Sequence, residues 1–144
     1  MFPYFVRAED ITITTNTTET NGGFSDRIYT DSLTLNPGVE INTAGNNESG
    51  VKGTHTNMVN IFGDIITHGE WSSGVALTDN NIVDISGNIT TANFQAKGVK
   101  VYDENTMTFS GNIDTSGAYG DGISGWTDNT VVMSGTILAK GVMP

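Results

Sequence analysis

From Asn57 onward the chain repeats itself every 24 residues without a gap, and no other feature limits its fold so tightly. The blocks read NMVNIFGDIITHGEWSSGVALTDN, NIVDISGNITTANFQAKGVKVYDE, NTMTFSGNIDTSGAYGDGISGWTD and a shortened NTVVMSGTILAKGVMP. One period earlier, LTLNPGVEINTAGNNESGVKGTHT from Leu33 fits the same frame. A unit this short cannot bury its own apolar face and is stable only when stacked on copies of itself. With block positions numbered 1 to 24, position 9 is Ile41, Ile65, Ile89, Ile113 and Ile137, and position 3 is Leu35, Val59, Val83, Met107 and Val131. Position 19 is Val51, Val75, Val99 and Ile123, each preceded by glycine, and position 1 is Asn57, Asn81, Asn105 and Asn129.

Within a block the apolar residues fall at positions 3, 5, 9, 11, 19 and 21. An alternation of period two places them on one side of a strand. Each block therefore reads as three short strands, near positions 2–6, 8–11 and 18–22. Gly63, Gly87, Gly111 and Gly135 recur at position 7, where the chain must turn a corner with little room. Blocks of equal length and phase stack best as parallel coils, each strand bonded to its equivalent about 4.8 Å away. The predicted fold is all-β: a single-stranded, right-handed parallel β-helix (a β-solenoid) of about six coils with three strands per coil, forming one domain over residues 1–144. A β-sandwich would need antiparallel hairpins with primed-turn dipeptides, and no such spacing replaces the repeat. Residues 33–144 are the regular part; residues 1–32 read as an apolar head and an irregular first coil. There Ile11 and Ile13 occupy the first strand, Thr17 stands where isoleucine is expected, and Ile28 falls one place late for the third.

Composition agrees with strands and narrows the partners. Glycine supplies 18 of 144 residues, and threonine with asparagine supplies 36 more, all poor helix formers. Sixteen acids against six bases give a net charge of −10, which disfavours nucleic acid and anionic membrane surfaces as partners. The longest apolar run, Met1 to Val6, is far shorter than the ~20 residues that span a bilayer, so no membrane insertion is expected. With no cysteine there are no disulfides, thiolate metal sites or cysteine nucleophiles, and a chain exported unfolded has nothing to cross-link.

Columns of like residues become ladders once the coils stack. The asparagines Asn57, Asn81, Asn105 and Asn129 can hydrogen-bond side chain to side chain along the axis. Acids precede them at Asp79, Asp103, Glu104 and Asp128, but the nonapeptide GGxGxDxUx of calcium-binding solenoids is absent, so the ladder is read as structural and no metal is assigned. The column Thr43, Thr67, Thr91 and Thr115 points inward by phase, with its hydroxyls bonding along the stack. Phe24, Trp71, Phe94 and Tyr119 gather along the long turn, and Tyr102 and Trp126 share position 22 on the outer side of the third strand. These six aromatics are the candidate ligand or lateral-contact surface. His68 and Glu70, with Asp64 nearby, are the residue types of a general acid/base pair. No exposed column repeats Asp or clusters bases, however; Lys52 and Lys100 share position 20 but Ala76 separates them. No catalytic residue or cofactor is assigned, and the chain is read as not an enzyme.

A solenoid's first and last coils expose strand edges and a slice of core. Here the last block stops at position 16, while Met1 to Ala8 would fill positions 17–24 of a frame carried back from Glu9. The tail of one subunit and the head of the next would complete a coil. Phe2, Tyr4, Phe5 and Val6 are therefore expected to meet Val132, Met133, Ile137, Val142 and Met143 of a neighbour in a heterologous contact that grows into a filament.

The phrases SGNIxTxG, then GI or GV, then DNTVxxSGxI, over roughly residues 33–144, resemble the passenger repeats of bacterial autotransporters and filamentous adhesins. The resemblance implies a β-helix in an extracellular or cell-surface setting. The expected function is structural, a subunit assembling head to tail with itself into a filament or scaffold. The alternative is an adhesin segment binding glycan or host protein, and a polysaccharide-acting enzyme comes third.

Overall fold

The computed structural model describes residues 10–18, 32–54 and 57–141 together with the backbone of 21–22. The chain winds as a β-solenoid of about five turns, and among the described residues there is no helix. Three parallel sheets form its faces. The first contains β1 (Asp10–Ile13), β3 (Ser32–Leu35), β6 (Met58–Ile61), β9 (Ile82–Ile85), β12 (Thr106–Phe109) and β15 (Thr130–Met133), in that spatial order. The second stacks β4 (Glu40–Thr43), β7 (Asp64–Thr67), β10 (Asn88–Thr91), β13 (Asn112–Thr115) and β16 (Thr136–Ala139). The third stacks β2 (Asn21–Gly22), β5 (Val51–Gly53), β8 (Val75–Leu77), β11 (Val99–Val101) and β14 (Ile123–Ser124).

The isoleucine column forms a single interior row. Ile41, Ile65, Ile89 and Ile113 pair rung to rung along the second sheet and are all but fully buried, with Ile137 partly so. Their fit depends on glycine across the core: a Cβ on Gly50, Gly74, Gly98 or Gly122 would lie 2.1–2.3 Å from the Cγ2 of Ile65, Ile89, Ile113 or Ile137 respectively. The corner glycines are set by backbone alone. A Cβ on Gly87 or Gly111 would lie 1.8 Å from the carbonyl oxygen of the glycine one coil earlier, so no side chain fits between successive laps.

Two features of the first coils depart from the uniform frame. Leu33 pairs with Val59 and Leu35 with Ile61, so the inward residue level with Val59 is Leu33, not Leu35. Two extra residues enter at the corner Asn36–Val39, where the Val39 amide donates to the Asn36 carbonyl at 3.2 Å and Gly38 has φ 75°. Pro followed by a positive-φ glycine is the signature of a type II turn. The excess is cancelled upstream, because Ile13 pairs with Leu35 only 22 residues on. In the first coil Thr17 bridges Ile41 in the place the repeat reserves for isoleucine. The third sheet, however, is entered by Asn21–Gly22 pairing with Val51–Lys52. That is earlier than the sequence frame expects, and Ile28 lies outside the described residues.

The threonine column is buried as phase requires, but its bonds run differently from the expectation. Thr43 and Thr67 donate their hydroxyls across the turn to the carbonyls of Glu48 (2.6 Å) and Ser72 (2.9 Å), five residues ahead in the same coil. A β-branched side chain fixed inward at the end of its strand faces its own returning backbone, which is nearer than the next rung.

Candidate interaction surfaces

The long turn between the second and third sheets carries the corner aromatics. Position 15 of this turn is left-handed in each coil where it is described: Asn47, Trp71, Gln95 and Tyr119 have φ of 61°, 60°, 53° and 57°. The reversal lets each amide keep an axial hydrogen bond, from Asn47 to the Glu70 carbonyl (2.9 Å), from Trp71 to Phe94 (2.9 Å) and from Gln95 to Ala118 (2.8 Å). At Trp71 and Tyr119 it also turns the ring outward. Trp71 and Phe94 meet edge to face at 5.7 Å and 74°, and Phe94 and Tyr119 at 5.6 Å and 83°. All three remain exposed, so they form a continuous aromatic ridge across three coils instead of folding over the turn. Phe24 lies outside the described residues.

A second pair runs along the outer side of the third face. Tyr102 and Trp126 lie 5.1 Å apart at 54°, and the Lys100 ammonium sits 5.3 Å from the Tyr102 ring centre. Beside them is a hollow of about 330 Å³ over Ala76. A second hollow of about 450 Å³ lies beside Tyr119 and contains the Lys97–Asp121 ion pair.

The position-1 asparagines form a buried ladder where the third sheet returns to the first. The side-chain amides of Asn57, Asn81 and Asn105 donate to the Oδ1 of Asn81 (2.9 Å), Asn105 (2.9 Å) and Asn129 (3.0 Å). The backbone amides of the same three residues donate to the same oxygens at 2.9–3.0 Å. Asn81 and Asn105 also donate back to the carbonyls of Thr54 and Thr78 in the preceding coil. A second ladder was not anticipated from the sequence: Asn88 donates through Nδ2 to Asp64 (3.0 Å), and Asn112 to Asn88 (2.9 Å), on the exposed rim of the second sheet. Asp64 is thus engaged by asparagine along the axis. Asp103 accepts from the backbone amide of Thr127 at 3.0 Å and from its hydroxyl at 2.7 Å, which together hold its carboxyl below the usual range.

The C-terminal coil completes the set. Met107 and Phe109 on β12 are wholly buried, yet their inward partners on β15, Val131 and Met133, are 41% and 47% exposed. Val132 pairs with Thr108 in the outward row, so it flanks the coil end, and Val131 takes the interior place beside Met133. That distinction was available from the position-3 column. Ile137 on β16 is partly buried, while Val142 and Met143, like Phe2, Tyr4, Phe5 and Val6, lie outside the described residues. β15, β16 and β14 end their sheets, each with a neighbouring strand on one side only.

No protein-family model matches the chain, and comparison with curated proteins and with solved structures finds no match.

Proposed function

We propose that this chain is a structural β-solenoid subunit that stacks end to end on copies of itself at a cell surface or outside the cell. The observation that carries the reading is the half-exposed interior row of Val131 and Met133, which one coil earlier is sealed. Apolar side chains in that setting are stabilised by covering, at roughly 25 cal/mol per Å² removed from water. The exposed edges of β15 and β16 are parallel templates in the same orientation as the first strands of the stack. A second copy placed on them brings β1 against β15, with Ile11 and Ile13 continuing the row of Val131 and Met133. Such a contact is heterologous and does not close, so it propagates. The net charge of −10 keeps neighbouring rods apart. The resemblance of the repeat phrases to autotransporter passengers supports the extracellular setting.

The aromatic ridge of Trp71, Phe94 and Tyr119 favours a second reading, an adhesin-type segment whose rings stack on glycan or on a host protein. Electron microscopy of the purified full chain tests both. Stacking predicts rods many times longer than one molecule, reduced to single particles by the pair Val131→Asp and Met133→Asp with the far-UV spectrum unchanged. Lone particles at every concentration overturn stacking, and glycan-array binding lost on Trp71→Ala then supports the adhesin.

A further inference from the structure

The third face has a gap in its outward row. Lys52, Ala76 and Lys100 are consecutive rungs in register, so a methyl group stands between two long side chains. The hollow of about 330 Å³ opens over it, with Tyr102 and Thr78 at its side. The two lysines are about 10 Å apart at the backbone, two rungs of ~4.8 Å, and each can reach over the gap.

Charge marks the hollow as more than a missing side chain. Of the four described lysines, Lys97 is paired with Asp121 and Lys140 with Asp114 (2.8 Å). Among the described residues, Lys52 and Lys100 have no acid within 4.0 Å, although the chain carries sixteen acids. The Lys52 ammonium donates to the Asn47 carbonyl at 3.3 Å, and that of Lys100 lies over the Tyr102 ring.

We infer that this hollow binds an acidic saccharide unit, its ring lying over Ala76 against Tyr102 and its carboxylate or sulfate held between the Lys52 and Lys100 ammonium groups. An acidic peptide fits less well. β5, β8 and β11 are hydrogen-bonded on both sides, so an extended chain cannot add here as a strand. A sugar needs no backbone edge: it presents a flat C–H face to the aromatic ring and a charge to the lysines. The volume sits at the small end of the ~300–1,000 Å³ range of ligand pockets. The site lies on the flank of interior coils, so it does not depend on end-to-end stacking or on the corner ridge.

Titration calorimetry on the full chain tests this, with a hyaluronan tetrasaccharide as carboxylate probe, a heparin-derived tetrasaccharide as sulfate probe, chitotetraose as neutral control and a tetraglutamate peptide. Binding of at least one acidic sugar is expected, with neither control binding. The pair Lys52→Met and Lys100→Met, which keeps the stems, should weaken it tenfold or more, and so should Ala76→Leu, which fills the gap. Trp71→Ala and Val131→Asp should leave it unchanged, which separates failure here from failure of either reading above. No binding of either acidic sugar overturns the inference. So does binding insensitive to both the lysine and Ala76 changes, or tetraglutamate binding as tightly as the sugars.

Discussion

At the scale of the residue, the solenoid is held by side chains that serve the neighbouring lap. Asn81 is the clearest case. Its Oδ1 accepts from the backbone and side-chain amides of Asn57 and its own amide donates to Asn105, all out of water, with a further bond to the half-buried Thr54 carbonyl. Removing it strands several buried groups at about 1–3 kcal/mol each. Asn81→Ala is expected to lower stability by roughly 3 kcal/mol in urea unfolding, while Asn112→Ala on the exposed ladder should cost less than about 0.5 kcal/mol. Asp103 gives the pH counterpart. Because the Thr127 amide and hydroxyl favour its ionised form, its folded pKa is lowered. The contribution is therefore present above the unfolded pKa and is lost as pH falls through the folded value. Carboxyl-carbon NMR titration should place Asp103 below a free aspartate. Thr127→Val should move it part of the way back, since the backbone amide, the larger cause, remains.

At the scale of the element, the corners decide more than the strands. Strands β6, β9 and β12 are nearly interchangeable, and their boundaries follow from apolar alternation. The left-handed residue at position 15 is another matter, for Trp71, Gln95 and Tyr119 are not residue types that seek positive φ. Each carries a cost of about 1–2 kcal/mol that axial hydrogen bonding offsets. Gln95→Gly is accordingly expected to raise stability by about 0.5–1 kcal/mol, read as a higher urea midpoint. At Trp71 and Tyr119 the same change would remove two of the rings that form the ridge. The Pro37–Gly38 corner shows how local turn chemistry shifts a strand by two residues while the columns on the other two faces hold their spacing of 24.

At the scale of the whole molecule, the two ends of the stack differ from its middle. Interior coils have a hydrogen-bonded neighbour on both sides, whereas the coil of β15 and β16 has one, and its apolar row is half-exposed. Opening free energy falls where buried contacts are few. Hydrogen exchange is therefore expected to be slowest in residues 57–115 and fastest in 129–141, and the proposed stacking predicts that protection of 129–141 rises with protein concentration. Protection uniform along the chain and independent of concentration would contradict both the open end and the stacking.

Much of this architecture was legible before any coordinates. A gapless period, a constant isoleucine at position 9 and glycine at positions 7 and 18 leave a parallel stack as the one arrangement that pairs every backbone group and buries every apolar column, because identical laps are satisfied only by each other. Ile11, Ile13 and Thr17 could be placed for the same reason. The displacement of Leu33 and Leu35, the early entry at Asn21 and the turn-spanning bonds of Thr43 and Thr67 could not, since each depends on how the backbone closes a corner in three dimensions. Periodicity reports which residues face inward, and says nothing of the space left between those that face out. Only the tertiary structure placed the rings of Trp71, Phe94 and Tyr119 edge to face and opened a hollow between Lys52 and Lys100, because both arise between different laps of the chain.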